Sequence, residues 1–219
     1  SDDTVDGPEA TDDDVKESRA KHGGRLPVDR DYDWEDEKLD PATVHEYVEA
    51  DTEKSDIIKE IEDRRKTGKH PHFCVSGPTG CGKTTLPEDI SVGMDAPCFI
   101  IECHEGLRPN NLLGMPTYVG DETWWADGPL TKALIASRER PVVLIFDEVN
   151  RTTARTLGVI MSALDHRCSV SLNARGGETV QGNPENLIVF STMNEGDGYI
   201  TNQIDRAQVR RLGNKYYTD

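Results

Sequence analysis

Gly77-Pro-Thr-Gly-Cys-Gly-Lys-Thr84 is the stretch on which the reading of this sequence turns. It follows a short apolar run with strand character, Phe73–Ser76, and precedes a stretch compatible with a helix, the context a phosphate-binding loop requires. Glycines 77, 80 and 82 let the backbone curl so that N–H groups point inward at phosphate oxygens, and the helix that follows adds its positive N-terminal end. Pro78, Thr79, Cys81 and Thr85 complete the cradle, Lys83 is placed to neutralise the β- and γ-phosphates, and the Thr84 hydroxyl to ligate magnesium. Pro87 falls early in that helix, where it removes a backbone donor and can kink the first turn.

Downstream, Val142-Val-Leu-Ile-Phe146 is continuously apolar, as expected of a strand buried on both faces, and it delivers Asp147-Glu148 at its end. Ligands bind at the C-terminal ends of strands in open α/β sheets. Asp147 is therefore placed to hold magnesium through its waters, and Glu148 to polarise the attacking water. A further apolar run, Leu187–Ser191, leads into Thr192-Met193-Asn194, where the Asn194 amide can orient that water against the γ-phosphate. The cofactors implied are ATP and Mg2+.

The strands Phe73–Ser76, Cys98–Glu102, Val142–Phe146 and Leu187–Ser191 alternate with helical stretches. That pattern predicts an α/β fold, a three-layer core with a mainly parallel sheet and helices on both faces. Two β-hairpin inserts are read, Thr117–Trp125 around Gly120-Asp121, and Ser169–Leu172 with Glu178–Val180. Residues 41–70 read as helical, with Asp40 capping a first helix that has Pro41 at its start. Ser55 or Asp56 would cap a second helix carrying Ile57, Ile58 and Ile61 on one face and ended by Gly68. Residues 1–40 are acidic and poor in aliphatics, and are expected to form a largely disordered extension (tether, docking arm or plain solvated tail) before a core over 41–219.

The formal net charge of −16 over 219 residues argues against a nucleic-acid footprint and against an anionic membrane surface. The same excess of acid suits a chain kept soluble in high salt, so a halophilic source is an expectation of composition. No apolar run approaches the roughly 20 residues that span a bilayer, and the opening Ser-Asp-Asp-Thr is not a signal peptide. Five scattered cysteines without a Cys-x-x-Cys pair read as reduced thiols in a cytoplasmic protein. Cys103, His104, His70 and His72 lack metal-ligand spacing and read as buried thiols and exposed imidazoles.

Taken in order, Gly77–Thr84, Leu112-Leu-Gly114, Gly128-Pro-Leu-Thr-Lys-Ala-Leu134, Phe146-Asp-Glu-Val-Asn-Arg151, Ser191-Thr-Met-Asn194 and Ile204–Leu212 form a recognisable series. Over residues 55–215 the chain resembles the dynein-related, MoxR-like branch of AAA+ ATPases, and in places the cobaltochelatase CobS subunit. The resemblance implies an ATPase that works as a ring, usually a hexamer, on a protein substrate, with a von Willebrand A-type partner common in the family. It implies an arginine reaching the neighbouring subunit's γ-phosphate, Arg211 or alternatively Arg210. Leu212 stands where the family has an aromatic residue. The family carries a small helical lid after this core, and with the sequence running to Asp219 the lid is either cut off, on another chain or lacking. The resemblance also places the helix-2 insert at the first hairpin, where Trp124 and Trp125 either touch a substrate protein or pack on the core. The competing functions are a phosphotransferase built on the same loop and a nucleotide-gated assembly module without significant turnover.

Overall fold

A computed structural model describes residues 10–49, 52–194 and 212–218. In chain order the elements are α1 (Asp12–Lys21), α2 (Glu53–Lys66), β1 (His72–Gly77), α3 (Thr85–Gly93), β2 (Cys98–Glu102), the short α4 (Pro109–Leu113), β3 (Gly114–Val119) and β4 (Glu122–Asp127). There follow α5 (Pro129–Ala136), β5 (Val142–Asp147), α6 (Ala154–Ala163), β6 (Ser169–Leu172), β7 (Glu178–Gln181), β8 (Leu187–Asn194) and β9 (Asn214–Tyr217). The central sheet has the order β2-β5-β8-β1-β9, and every pairing in it is parallel.

Strand alternation divides the apolar side chains between the faces. Val142, Leu144 and Phe146 of β5 join the cluster containing Leu130 and Leu134 of α5 and Leu157 and Ile160 of α6. Val143 and Ile145 join Ile57 and Ile61 of α2 and Leu86 and Ile90 of α3 on the other side. The result is the expected three-layer core. The five apolar residues of β5 are inaccessible to solvent, and burial of each such side chain contributes roughly 1.5–3 kcal/mol. Phe73 and Phe190 stack at 5.2 Å between ring centroids and tie β1 to β8. Both hairpins form, β3 with β4 and β6 with β7. Among the described residues no helix is long and apolar enough to cross a membrane.

Three local expectations need correction. The stretch after Asp40 is a turn, not a helix: Asp40 Oδ1 accepts the Ala42 N–H at 2.9 Å and its carbonyl the Thr43 N–H at 2.9 Å, so the side chain closes a local turn in competition with helix. Only α2 follows, preceded by Thr52, with Ile57 and Ile61 buried and Ile58 turned outward. Pro87 leaves α3 unbroken, since it lies at the third helical position, where no intrahelical donor is needed.

The third correction concerns the acidic N-terminal region, whose residues 10–40 are packed along the core. Leu26 and Trp34 are buried, Trp125 N–H donates to the Pro27 carbonyl at 2.8 Å, and Cys98 N–H donates to the Glu37 carbonyl at 2.8 Å. Arg30 joins Asp127 at the end of β4 (2.6 Å) to Glu178 at the start of β7 (2.7 Å). Asp127 also receives Tyr32 Oη at 2.9 Å and Trp125 Nε1 at 2.7 Å. A few well-placed apolar anchors and these paired charges hold a segment whose mean composition predicts disorder.

Candidate functional site

β8 lies between β5 and β1, so the C-terminal ends of these strands converge. Gly77, last in β1, is in register with Asn194, last in β8. The Gly77–Thr84 loop turns from β1 into α3 with Gly80 and Gly82 at φ +87° and +82°, values that glycine adopts without steric cost. Thr84 caps α3 and Thr85 opens it. P-loop residues, Asp147, Glu148 and Asn194 line one cavity of about 290 Å³.

Lys83 is 7% exposed, and no described carboxylate lies within 4 Å of its ammonium, which donates to the Pro78 carbonyl. A buried cation whose partners are a carbonyl and, at 3.8 Å, the Cys81 thiol sulfur is matched to an anionic ligand. The loop is also backed closely. A side chain at Gly77 would meet the Thr218 carbonyl at 2.3 Å, and one at Gly82 the Tyr47 ring at 3.0 Å. Cys81 Sγ donates to the Pro78 carbonyl at 2.9 Å and shares a hydrogen bond with Thr218 Oγ1 at 2.9 Å. Thr218 N–H donates to the Ser76 carbonyl at 3.0 Å, extending β9 alongside β1 up to the loop.

The acids are placed by hydroxyls. Thr84 Oγ1 donates to Asp147 Oδ1 at 3.0 Å, and Thr192 Oγ1 donates to the same oxygen while accepting the Glu148 N–H at 2.8 Å. Glu148 has left-handed backbone angles, φ 53° and ψ 46°, a conformation that costs a non-glycine residue about 1–3 kcal/mol and concentrates at functional sites. Its carboxylate accepts from the Asn194 amide on one oxygen and from Arg151 on the other. Glu88, one turn beyond Thr84, has its carboxyl raised above the ordinary value by burial and then by the charge of Asp147. Thr84 and Asp147 are the oxygen donors that would hold a hard divalent cation, a donor set suited to magnesium with most of its waters kept.

The structure thus brings together the sequence-selected residues Gly77–Thr85, Asp147, Glu148 and Asn194. Arg210 and Arg211 lie outside the described residues. Thr192, Arg151, Tyr47 and Thr218 were not selected from sequence. Thr192 and Arg151 stand inside quoted motifs, whereas Tyr47 and Thr218 reach the loop only through the fold.

With this geometry in view, the model of the AAA domain of the dynein-related subfamily matches residues 72–212, more than half of the chain. The chain belongs to that family. The AAA domain is 37% identical over 133 residues to the denitrification regulatory protein NirQ of Pseudomonas aeruginosa, covering 60% of this chain and 49% of that protein. It is 32% identical over 117 residues to protein NorQ of Paracoccus denitrificans, covering 53% and 42% respectively. The chain therefore spans about half the length of the curated relatives it matches. Among solved structures, a protein of Cytophaga hutchinsonii provisionally described as an ATPase superposes with a TM-score of 0.54 at 20% identity, over 77% of this chain and 52% of that one. The closed state of Hsp104 with ATPγS and FITC casein gives 0.55 at 21% identity, over 75% and 33%. At such identities these two structures speak for the AAA fold. The Leu112–Gly114, Gly128–Leu134 and Asp147–Arg151 elements all fall within the matched region.

Proposed function

We propose that this AAA domain binds Mg-ATP, hydrolyses it to ADP and phosphate, and uses the cycle to remodel or mature a partner protein within a ring oligomer. The observation that carries the reading is the convergence of a buried Lys83, the Thr84–Asp147 hydrogen bond and the Glu148–Asn194 contact on one cavity. In this reading the loop amides and Lys83 hold the phosphates. Thr84 and Asp147 would hold magnesium, which when bound would supply charge neutralisation to the phosphates. Glu148 accepts the proton of a water whose oxygen attacks the γ-phosphorus as the bond to the bridging oxygen breaks, and Asn194 orients that water. Arg211, or Arg210, completes the neighbouring subunit's site. The name of NirQ, a denitrification regulatory protein, is consistent with action on another protein, and a von Willebrand A-type protein is the class first to be sought.

Glu148→Gln is the direct test. The variant is expected to bind Mg-ATP like the parent and to turn over about a hundredfold more slowly, the scale for losing a general base. Turnover at the parent rate would assign the base elsewhere. One observation favours a second reading, a nucleotide-gated assembly module: both Glu148 carboxylate oxygens are engaged, by Asn194 and Arg151. Phosphate release from the parent chain separates the two, since the module would show ATP-dependent assembly without it.

A further inference from the structure

A groove of about 750 Å³ lies away from the nucleotide cavity, between α6 and α4 on one side and residues 169–174 on the other. Side chains of a strand alternate between its faces, so consecutive residues line a groove only where it runs along the strand's edge. β6 is paired with β7 alone among the described residues. Gly182 N–H donates to the Cys168 carbonyl at 2.8 Å and Gly177 N–H to the Leu172 carbonyl at 3.0 Å. These bonds turn the backbone groups of residues 168, 170 and 172 towards β7, which leaves the N–H and C=O of Ser169 and Ser171 on the outer edge. Val170 and Leu172 are buried in the core, so the strand cannot slip by a residue to hide that edge.

The groove also has a definite chemistry. Leu113 and Val159 give it apolar surface, and Arg155 and Arg167 stand exposed at its walls. No described carboxylate lies within 4 Å of either guanidinium. Asp165 lines the same groove, but its Oδ1 is taken by the Arg167 backbone N–H at 2.7 Å. Unpaired arginines are conspicuous on a chain of net charge −16. We propose that this groove binds an extended, acidic peptide segment of a partner protein, which adds a strand to the edge of β6 and places carboxylates against Arg155 and Arg167. A peptide backbone supplies both donors and acceptors to match Ser169 and Ser171, whereas a phosphodiester backbone supplies acceptors alone and would leave their carbonyls unmatched. The inference is independent of the roles assigned at the nucleotide site.

The test is selection of a displayed library of short random peptides on the full chain, followed by amide exchange with the synthetic winner. Acidic residues interleaved with β-branched ones should be enriched, and exchange at Ser169 and Ser171 should slow by about tenfold or more as their edge is covered. Arg155→Glu with Arg167→Glu, both at exposed positions, should weaken binding at least about tenfold. N-methylation of the peptide's ladder-facing amides should do likewise, while Lys83→Ala should leave peptide binding unchanged. Lack of acidic enrichment, or protection located elsewhere than Ser169 and Ser171, would overturn the proposal. So would a single-stranded oligonucleotide that occupies the groove in place of the peptide.

Discussion

Thr192 Oγ1 stands 2.5 Å from Asp147 Oδ1 and donates to it, and the same hydroxyl accepts the Glu148 N–H. One side chain on β8 therefore fixes the acid assigned to magnesium and the backbone of the acid assigned to water. Thr192→Val keeps the shape and removes both bonds. Mg-ATP affinity should fall about 10- to 100-fold, the usual consequence of losing an outer partner of a metal ligand, while magnesium-free ATP binding should be unchanged. Calorimetry with and without magnesium measures the difference. An equal loss in both would show that Thr192 does not act through Asp147.

Arg30 should matter for stability. Asp127 has no exposed side-chain surface and relies on Arg30 for charge compensation, so Arg30→Met should destabilise the fold by about 3–5 kcal/mol, as for breaking a buried pair. In thermal denaturation that is a drop in Tm on the order of 10 °C. Burial acts to raise the Glu178 carboxyl, but Arg30 and then Arg175 outweigh it and hold its pKa below the ordinary value. A depressed carboxyl pKa contributes stability above the unfolded value of 4.5 that is lost as pH falls through the folded one. Between neutral pH and pH 4 the parent should therefore lose more stability than Arg30→Met. Parallel pH profiles would contradict the role given to this pair.

Thiol chemistry offers a probe of the loop. Burial pushes the thiols of Cys98, Cys103 and Cys168 up to about 12, and Cys74 is also buried, whereas Cys81 is partly exposed. A thiol-directed reagent near pH 8 should modify Cys81 first. Saturating Mg-ATP should slow that reaction about tenfold or more, and Lys83→Ala should abolish the protection. Labelling of Cys81 at the same rate with and without ATP would argue against nucleotide in the loop.

Assembly can be tested by mixing. Arg211→Ala and Lys83→Ala chains should each be inactive, trans-acting arginines contributing on the order of a thousandfold. Mixed rings contain sites in which an intact loop faces an intact arginine, so mixing should recover phosphate release, and dilution should remove it again. A fully active Arg211→Ala chain would refute the assignment. An inactive one never rescued by mixing would place the arginine's action within its own subunit.

The central strands were legible because their signal is local: Val142–Phe146 is apolar throughout, and the loop and Asp147-Glu148 stand directly at strand ends. Asn194 was legible from its position after Leu187–Ser191. Thr192 was not, because its role arises from β8 lying between β5 and β1, an order no local pattern encodes. β9 was missed for a related reason, Asn214–Tyr217 being four residues with little apolar character whose partner is far away in sequence. In the N-terminal region, Arg30 finds its acids at residues 127 and 178, contacts that average composition cannot register. The tryptophan pair divides by strand alternation, Trp125 buried against the core and Trp124 half-exposed on the opposite face of the hairpin.

The position of β1 in the sheet also has a kinetic meaning. Among the described residues its sheet partners are β8 and β9, which begin at Leu187 and Asn214, so the strand carrying the loop has no described neighbour until nearly the whole described chain exists. Closing so long a loop must precede any reward from pairing, which makes this the slow step of folding. β2 and β5 can pair earlier, so a chain emerging from synthesis would hold Asp147 on an ordered strand while Lys83 still lacked a fixed place. Nucleotide could then not guide early folding, and would recognise only a chain in which β8 and β9 have closed on β1.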